Sequence, residues 1–305
     1  MMPLVPLAAV AAGVITTTYT IAIAREARRP RRATYAWALA HGVAPSPAEV
    51  PGVRDWHEGC TTVHPAGGTA STPDQAPPSA RSIVLPWWTI RGQGSGAMLV
   101  IHGWGRSRWD SLRRVPWLLD HAASIVLPDL RGHGEAPGTT SIGHADHVDL
   151  EQVIASALPG SGDIDRGGIT LVGHSMGAMV AARLAALLAT RGTPARRLVL
   201  MAPYDALVVP MANRLRVRGL PAGPFAATAA WWLARGEEPL HRTLERAHCP
   251  VLALGGGLDA VTTPNDVHRA AAPHGATIEP GIDHANVGVE GTASRLALNE
   301  FLAAT

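Results

Sequence analysis

The feature that most constrains this chain is an alternation, in which short runs rich in apolar and β-branched residues trade places with longer helical patterns. The extended runs cover residues 82–90, 97–102, 124–129, 169–173, 197–201, 251–254 and 276–279. The helical patterns cover 109–121, 145–158, 176–190, 265–271 and 291–302. Strands separated by a helix pair in parallel through crossovers, so the pattern predicts a mostly parallel sheet with helices on both faces. A chain of 305 residues with 47% hydrophobic content also holds enough apolar material for one large buried core and an appendage, which excludes a disordered chain.

One of these strand-to-helix junctions carries chemistry. The apolar run Ile169-Thr170-Leu171-Val172 leads into Gly173-His174-Ser175-Met176-Gly177, and the Ala-rich stretch 178–188 leads out. Gly-x-Ser-x-Gly alone is a weak signal, but between a strand and a helix it predicts a sharp turn that lifts the Ser175 hydroxyl clear of the backbone at a helix N-terminus. The bland alternative for Ser175 is a helix-capping serine. Upstream, the run 97–101 ends in His102-Gly103-Trp104-Gly105, a Gly-rich turn suited to an oxyanion loop; the backbone N–H groups of Trp104 and Met176 are the expected donors. Downstream, the run 251–254 ends in Gly255-Gly256-Gly257-Leu258-Asp259, which makes Asp259 the expected acid. Asp205, just past the run 197–201, is the alternative acid. Among 14 histidines, His284 follows the last strand and precedes the last helix, so Ser175, Asp259 and His284 stand in the order nucleophile, acid, base. His268 and His274 are weaker candidates, on or beside the helix before that strand.

The N-terminal segment admits three readings. Residues 3–24 are uncharged, and 22 helical residues at about 1.5 Å each are long enough for a bilayer core. The segment is interrupted by Thr16, Thr17, Thr18, Tyr19 and Thr20, so a helix packed on the domain and a cleaved signal peptide compete with a membrane anchor. Arg25, Arg28, Arg29, Arg31 and Arg32 follow the segment and no basic residue precedes it. That asymmetry favours an anchor at 1–24 with the catalytic domain on the cytoplasmic side, a soluble cytoplasmic protein being the alternative. Residues 25–80 read as an Arg-rich juxtamembrane segment and a loop-rich region, with a Pro-, Gly- and Ser-rich linker at 65–78; no internal repeat is visible. The connection 204–248 is too long for a simple loop and is expected to form either a small cap over the site or a helical crossover, with Trp231 and Trp232 buried in both cases.

Composition removes other classes of function. All 26 basic residues are Arg, and the run from Arg25 to Arg32, less Glu26, holds +4, leaving −2 for the rest of a chain whose total is +2. A nucleic-acid partner is not expected from so local an excess. Cys60 and Cys249 match no metal or redox spacing and read as free thiols. Neither a metal-ligand spacing nor a dinucleotide loop is present, so no cofactor and no metal is expected. Nothing in the sequence determines an oligomeric state.

Taken together, residues 81–305 resemble the α/β-hydrolase superfamily. Four motifs carry the resemblance: His102-Gly103-Trp104-Gly105, Asp129-Leu130-Arg131-Gly132-His133-Gly134, Gly173-His174-Ser175-Met176-Gly177, and Gly257-Leu258-Asp259 with His284. It implies the α/β-hydrolase fold and a serine hydrolase that cleaves an ester, thioester or related acyl bond of a small-molecule substrate. Asp129 and His133 would shape a turn at the site's rim. A serine rather than an aspartate at the elbow sets the chain apart from haloalkane dehalogenases and epoxide hydrolases. The N-terminal arrangement is similar to a membrane-linked bacterial subset of the superfamily, from which the linker 65–78 departs. Two alternatives stay open: an acyltransferase using the same three residues, and a non-catalytic binding protein on a hydrolase frame.

Overall fold

Residues 4–64, 82–159 and 168–304 are described by the computed structural model of the protein. The linker 65–78 lies outside these residues. In chain order the elements are α1 (Leu4–Arg28), α2 (Tyr35–Ala40), β1 (Trp56–Val63), β2 (Ile83–Arg91), β3 (Ala97–Ile101), α3 (Arg108–Leu112), β4 (Ser124–Pro128) and α4 (Asp146–Ala157). They continue through β5 (Ile169–His174), α5 (Met176–Thr190), β6 (Arg197–Met201), α6 (Val208–Val217), α7 (Gly223–Leu233), α8 (Leu240–Glu245), β7 (Val251–Gly256), α9 (Pro264–Ala270), β8 (Thr277–Glu279) and α10 (Thr292–Ala303).

The described strands form one eight-stranded sheet in the order β1-β2-β4-β3-β5-β6-β7-β8, antiparallel at β1-β2-β4 and parallel elsewhere. Period-two alternation divides the core in two. Leu99, Val126, Leu171 and Leu198 face a cluster built with α4, α5 and α7. Their neighbours Val100, Leu127, Val172 and Val199 face a second cluster built with α3 and α10. Strands buried on both faces need apolar residues at successive positions, which is why β3, β4 and β6 are buried throughout. Each fully buried Val or Leu contributes about 1.5–3 kcal/mol relative to exposure.

Two expected features differ locally. The helix expected over 109–121 is cut to α3 and a 3-10 turn at Val115–Trp117, because Pro116 cannot continue an α-helix. Trp231 and Trp232, expected to be buried, are exposed (60% and 51%). The reason is α7's periodicity: Ala226, Ala229, Ala230 and Leu233 form the inward stripe, and the tryptophans fall outside it.

The N-terminal segment also differs from expectation. Among the described residues no helix is long and apolar enough to cross a membrane. The later turns of α1 are used for packing. Thr20, Ile23 and Ala24, at i, i+3 and i+4, are buried. Tyr19 meets Phe225 of α7 edge to face at 5.0 Å and donates to the Pro221 carbonyl at 2.8 Å, while Glu26 pairs with Arg218 at 2.7 Å. The membrane-anchored placement drawn from residues 3–24 is therefore unsupported, and α1 packs on the domain through its C-terminal half.

A buried polar layer lies under the carboxyl ends of β3, β4 and β5. His102 and Asp129 follow β3 and β4, His174 ends β5, and all three are buried with His133. The His102 ring accepts the Leu130 N–H at Nε2 (3.0 Å) and donates from Nδ1 to the Gly103 carbonyl (2.8 Å), which makes it neutral. Burial lowers His102 from 6.5 to about 4 and, with repulsion from His102, lowers His133 to about 3. His147 is lowered to about 4 and His174 well below 6.5, again chiefly by burial. Folded values below the unfolded one mean stability that is complete above pH 6.5 and is lost as pH falls through about 4 and then 3. Asp129 and Asp146, raised by burial to about 6, act with the opposite sign from about pH 4 to 6, two groups against five histidines, since burial lowers His144 as well. The urea midpoint should thus fall between pH 7 and pH 4; an unchanged or rising midpoint would refute this account.

Candidate active site

At the β5-to-α5 turn Ser175 adopts φ +54°, ψ −116°, a region that non-glycine residues avoid. Close packing keeps it there. A Cβ on Gly173 would collide with the Gly177 carbonyl, and one on Gly177 with the carbonyls of Ile101 and His102. The Ser175 N–H donates to the Met201 carbonyl at 2.8 Å, and its own carbonyl accepts from Ala178 at 2.9 Å. The elbow is wedged between the ends of β3 and β6.

His284 connects Ser175 to Asp259. Its Nδ1 lies 2.7 Å from Asp259 Oδ2 and its Nε2 lies 3.0 Å from Ser175 Oγ. With Nδ1–H donating to the carboxylate, Nε2 carries the free lone pair that accepts the serine O–H. Asp259 Oδ1 accepts the N–H groups of Val261 and Thr262, both at 2.8 Å, and Oδ2 accepts the Thr262 hydroxyl at 2.7 Å. Burial works against the charged form of Asp259, but the hydrogen bond and attraction of His284, joined by Thr262, outweigh it and hold the carboxyl below its ordinary value. The loop carrying His284 is pinned from α3 and its C-terminal flank. Arg113 donates to Asn286 Oδ1 at 2.6 Å, Arg114 donates to the Val287 carbonyl at 3.3 Å, and Arg114 itself pairs with buried Asp110 at 3.0 Å. The His174 ring donates to the His284 carbonyl at 2.8 Å.

Asp205 is engaged elsewhere: its Oδ1 accepts from His241 Nδ1 at 2.7 Å. His268 lies on α9 and His274 beyond it, and neither is part of this constellation.

The His102-Gly103-Trp104 turn faces the elbow, since a Cβ on Gly103 would stand 3.3 Å from Ser175 Cβ. The Gly103 carbonyl accepts from the His102 ring at 2.8 Å and from the Arg106 N–H at 3.1 Å. In a trans peptide the carbonyl and the following N–H point in opposite directions, so holding the Gly103 oxygen also orients the Trp104 N–H. Met176 is the first residue of α5, and its N–H has no acceptor inside the helix. The Trp104 indole donates to the Ala27 carbonyl of α1 at 2.7 Å.

Ser175 and His284 open on a cavity of about 420 Å³. Its walls include Ile23 and Ala27 of α1, Met211 and Leu215 of α6, and Ile142 and Val261. Thr262 and the walls from α1 and α6 were not singled out from the sequence. An Asp-x-x-Thr spacing at Asp259 and Thr262 is the one local signal for the first; the walls depend on contacts between distant segments.

Comparisons with known proteins agree with this architecture. Residues 98–295 match the model of the alpha/beta hydrolase family. An uncharacterised protein of Mycobacterium tuberculosis is 28% identical over 253 residues, 72% of this chain and 78% of that one. The dihydrolipoyllysine-residue acetyltransferase component of an acetoin cleaving system from Pseudomonas putida is 28% identical over 128 residues, 40% of this chain. The match spans only 32% of that protein's length. Among solved structures, an esterase of Pyrococcus furiosus superposes with a TM-score of 0.59 at 17% identity, covering 90% of this chain and 94% of that one. A thermophilic esterase of Thermogutta terrifontis gives 0.54 at 21% identity, covering 81% and 98%. These two share the fold with this chain. With the family model matched from β3 to α10 and the sheet order and elbow in agreement, this chain belongs to the α/β hydrolase family.

Proposed function

We propose that the protein is a serine hydrolase that cleaves a carboxylic ester, thioester or related acyl bond through an acyl-enzyme on Ser175. The observation that carries this reading is the single imidazole of His284 within hydrogen-bond reach of both Ser175 and Asp259. Ser175 Oγ bonds to the substrate's carbonyl carbon while its proton passes to His284 Nε2. Asp259 keeps Nδ1 protonated and stabilises the imidazolium that forms. The backbone N–H groups of Trp104 and Met176 receive the negative charge on the carbonyl oxygen. The imidazolium then protonates the departing alkoxide or thiolate, leaving the acyl group on Ser175. Water, deprotonated by the same His284, attacks that acyl group; the acid is released and Ser175 recovers its proton.

Ser175→Ala should abolish fluorophosphonate labelling and lower turnover of short-chain p-nitrophenyl esters by several orders of magnitude, with the thermal midpoint close to wild type. Equal labelling of the variant would dismiss Ser175 as nucleophile. Asp259→Asn should lower kcat on the order of 10³- to 10⁴-fold, because the amide favours the wrong tautomer of His284. Asp205→Asn should cost far less, since that carboxylate bonds His241. The reverse ranking in the same ester assay would transfer the role to Asp205.

A further inference from the structure

The cavity in front of Ser175 is apolar over most of its wall but carries an unbalanced positive charge. Arg106 enters from the turn after Trp104, and Arg214 from α6. The guanidinium carbon of Arg214 lies over the Trp104 ring at 4.7 Å from its centroid, and that of Arg106 over Trp37 at 5.4 Å. Among the described residues neither guanidinium has an ion pair or a hydrogen bond. The carboxylates on the cavity wall are committed: Glu26 to Arg218 at 2.7 Å, and Asp283 to the N–H groups of Ala285 and Asn286, both at 3.1 Å. Burial, and then repulsion from Arg106, push the Arg214 guanidinium below its ordinary value, against the attraction of Tyr204, Asp259 and Glu26. Two half-buried like charges on one wall repel each other, and an anion placed between them relieves that repulsion.

Aromatic stacking matters to the geometry. A guanidinium held over an indole face by cation–π attraction still has N–H donors to offer an oxyanion. Because Trp104 also belongs to the turn that faces Ser175, a group held by Arg214 is placed relative to the reacting carbonyl by one side chain.

We infer that Arg214 and Arg106 form an anion subsite, and that the substrate is an acyl compound carrying a carboxylate remote from the bond that is cleaved. This rests on the hydrolase reading of Ser175. The cavity volume is at the small end of ligand sites, of order 300–1,000 Å³, which favours a short dicarboxylic half-ester over a long lipid chain.

The test compares monoethyl esters of succinic, glutaric and adipic acid with ethyl esters of neutral acids of equal chain length, by kcat and KM. Wild type should prefer at least one charged ester by roughly tenfold or more in kcat/KM, mainly through KM, with the preference shrinking as salt is added. Arg214→Gln should lower the charged-to-neutral ratio by roughly 10- to 100-fold, Arg106→Gln should lower it less, and Arg214→Lys should retain part of it. Merely structural damage would lower both substrates together and leave the ratio unchanged. A wild-type ratio near one, or a ratio equal in wild type and both Gln variants, overturns the subsite while leaving Ser175 chemistry intact. No turnover of either ester series, together with no fluorophosphonate labelling of Ser175, overturns the hydrolase reading itself.

Discussion

The constraint on which the rest of this structure depends is the backbone of Ser175. A serine at positive φ carries strain on the order of 1–3 kcal/mol, and the conformation survives only where its surroundings leave no alternative. The surroundings here are the ends of two neighbouring strands. Gly177 packs against the carbonyls of Ile101, the last residue of β3, and of His102 just after it, and the Ser175 N–H is taken by Met201 of β6. The sheet order that sets β5 between β3 and β6 is therefore what holds the elbow, and the doubly buried apolar strands are what hold the sheet.

Around this turn the protein handles charge in two opposed ways. Beneath it, the histidines are neutral because burial denies them a proton and each ring finds a carbonyl to donate to. Their function in the fold is geometric: His102 orients the peptide that ends in the Trp104 N–H, and His174 supports the backbone of His284. Above it, on the cavity wall, the guanidiniums of Arg106 and Arg214 lie over the Trp37 and Trp104 rings without an ion pair or a hydrogen bond among the described residues. His284 sits between the buried, neutral histidines below and the cavity above, bonded to both Ser175 and Asp259.

Much of this was legible in the sequence because it is local. Parallel strands buried on both faces are short unbroken apolar runs, so β3 to β7 stand out, and the Gly-rich turns after them mark the edge where the site forms. The order of Ser175, Asp259 and His284 along the chain follows from the same reading, and the structure brings them within hydrogen-bond distance. What was hidden is non-local. β1, Trp56–Val63, is an edge strand with half of its residues exposed and no clean alternation, so it offered no signal. Trp231 and Trp232 were expected to be buried under a cap or in a crossover, whereas α7 packs through Ala226, Ala229, Ala230 and Leu233. Arg106 and Arg214 lie more than a hundred residues apart, and nothing in either segment announces the other.

The bond from the Trp104 indole to the Ala27 carbonyl changes how the N-terminal helix should be regarded. Its composition invites removal before any enzymology, as one would trim a leader or a tether. Yet α1 supplies part of the cavity wall, occupies the open end of its own last turn with the Trp104 side chain, and through Tyr19 and Glu26 braces the α6–α7 region. A shortened chain would be a different enzyme: its pocket would lack one side, and the turn facing Ser175 would lose an external anchor. Kinetic constants measured on the trimmed protein would describe that altered pocket, and any gain in breadth of substrates would be a product of the cut.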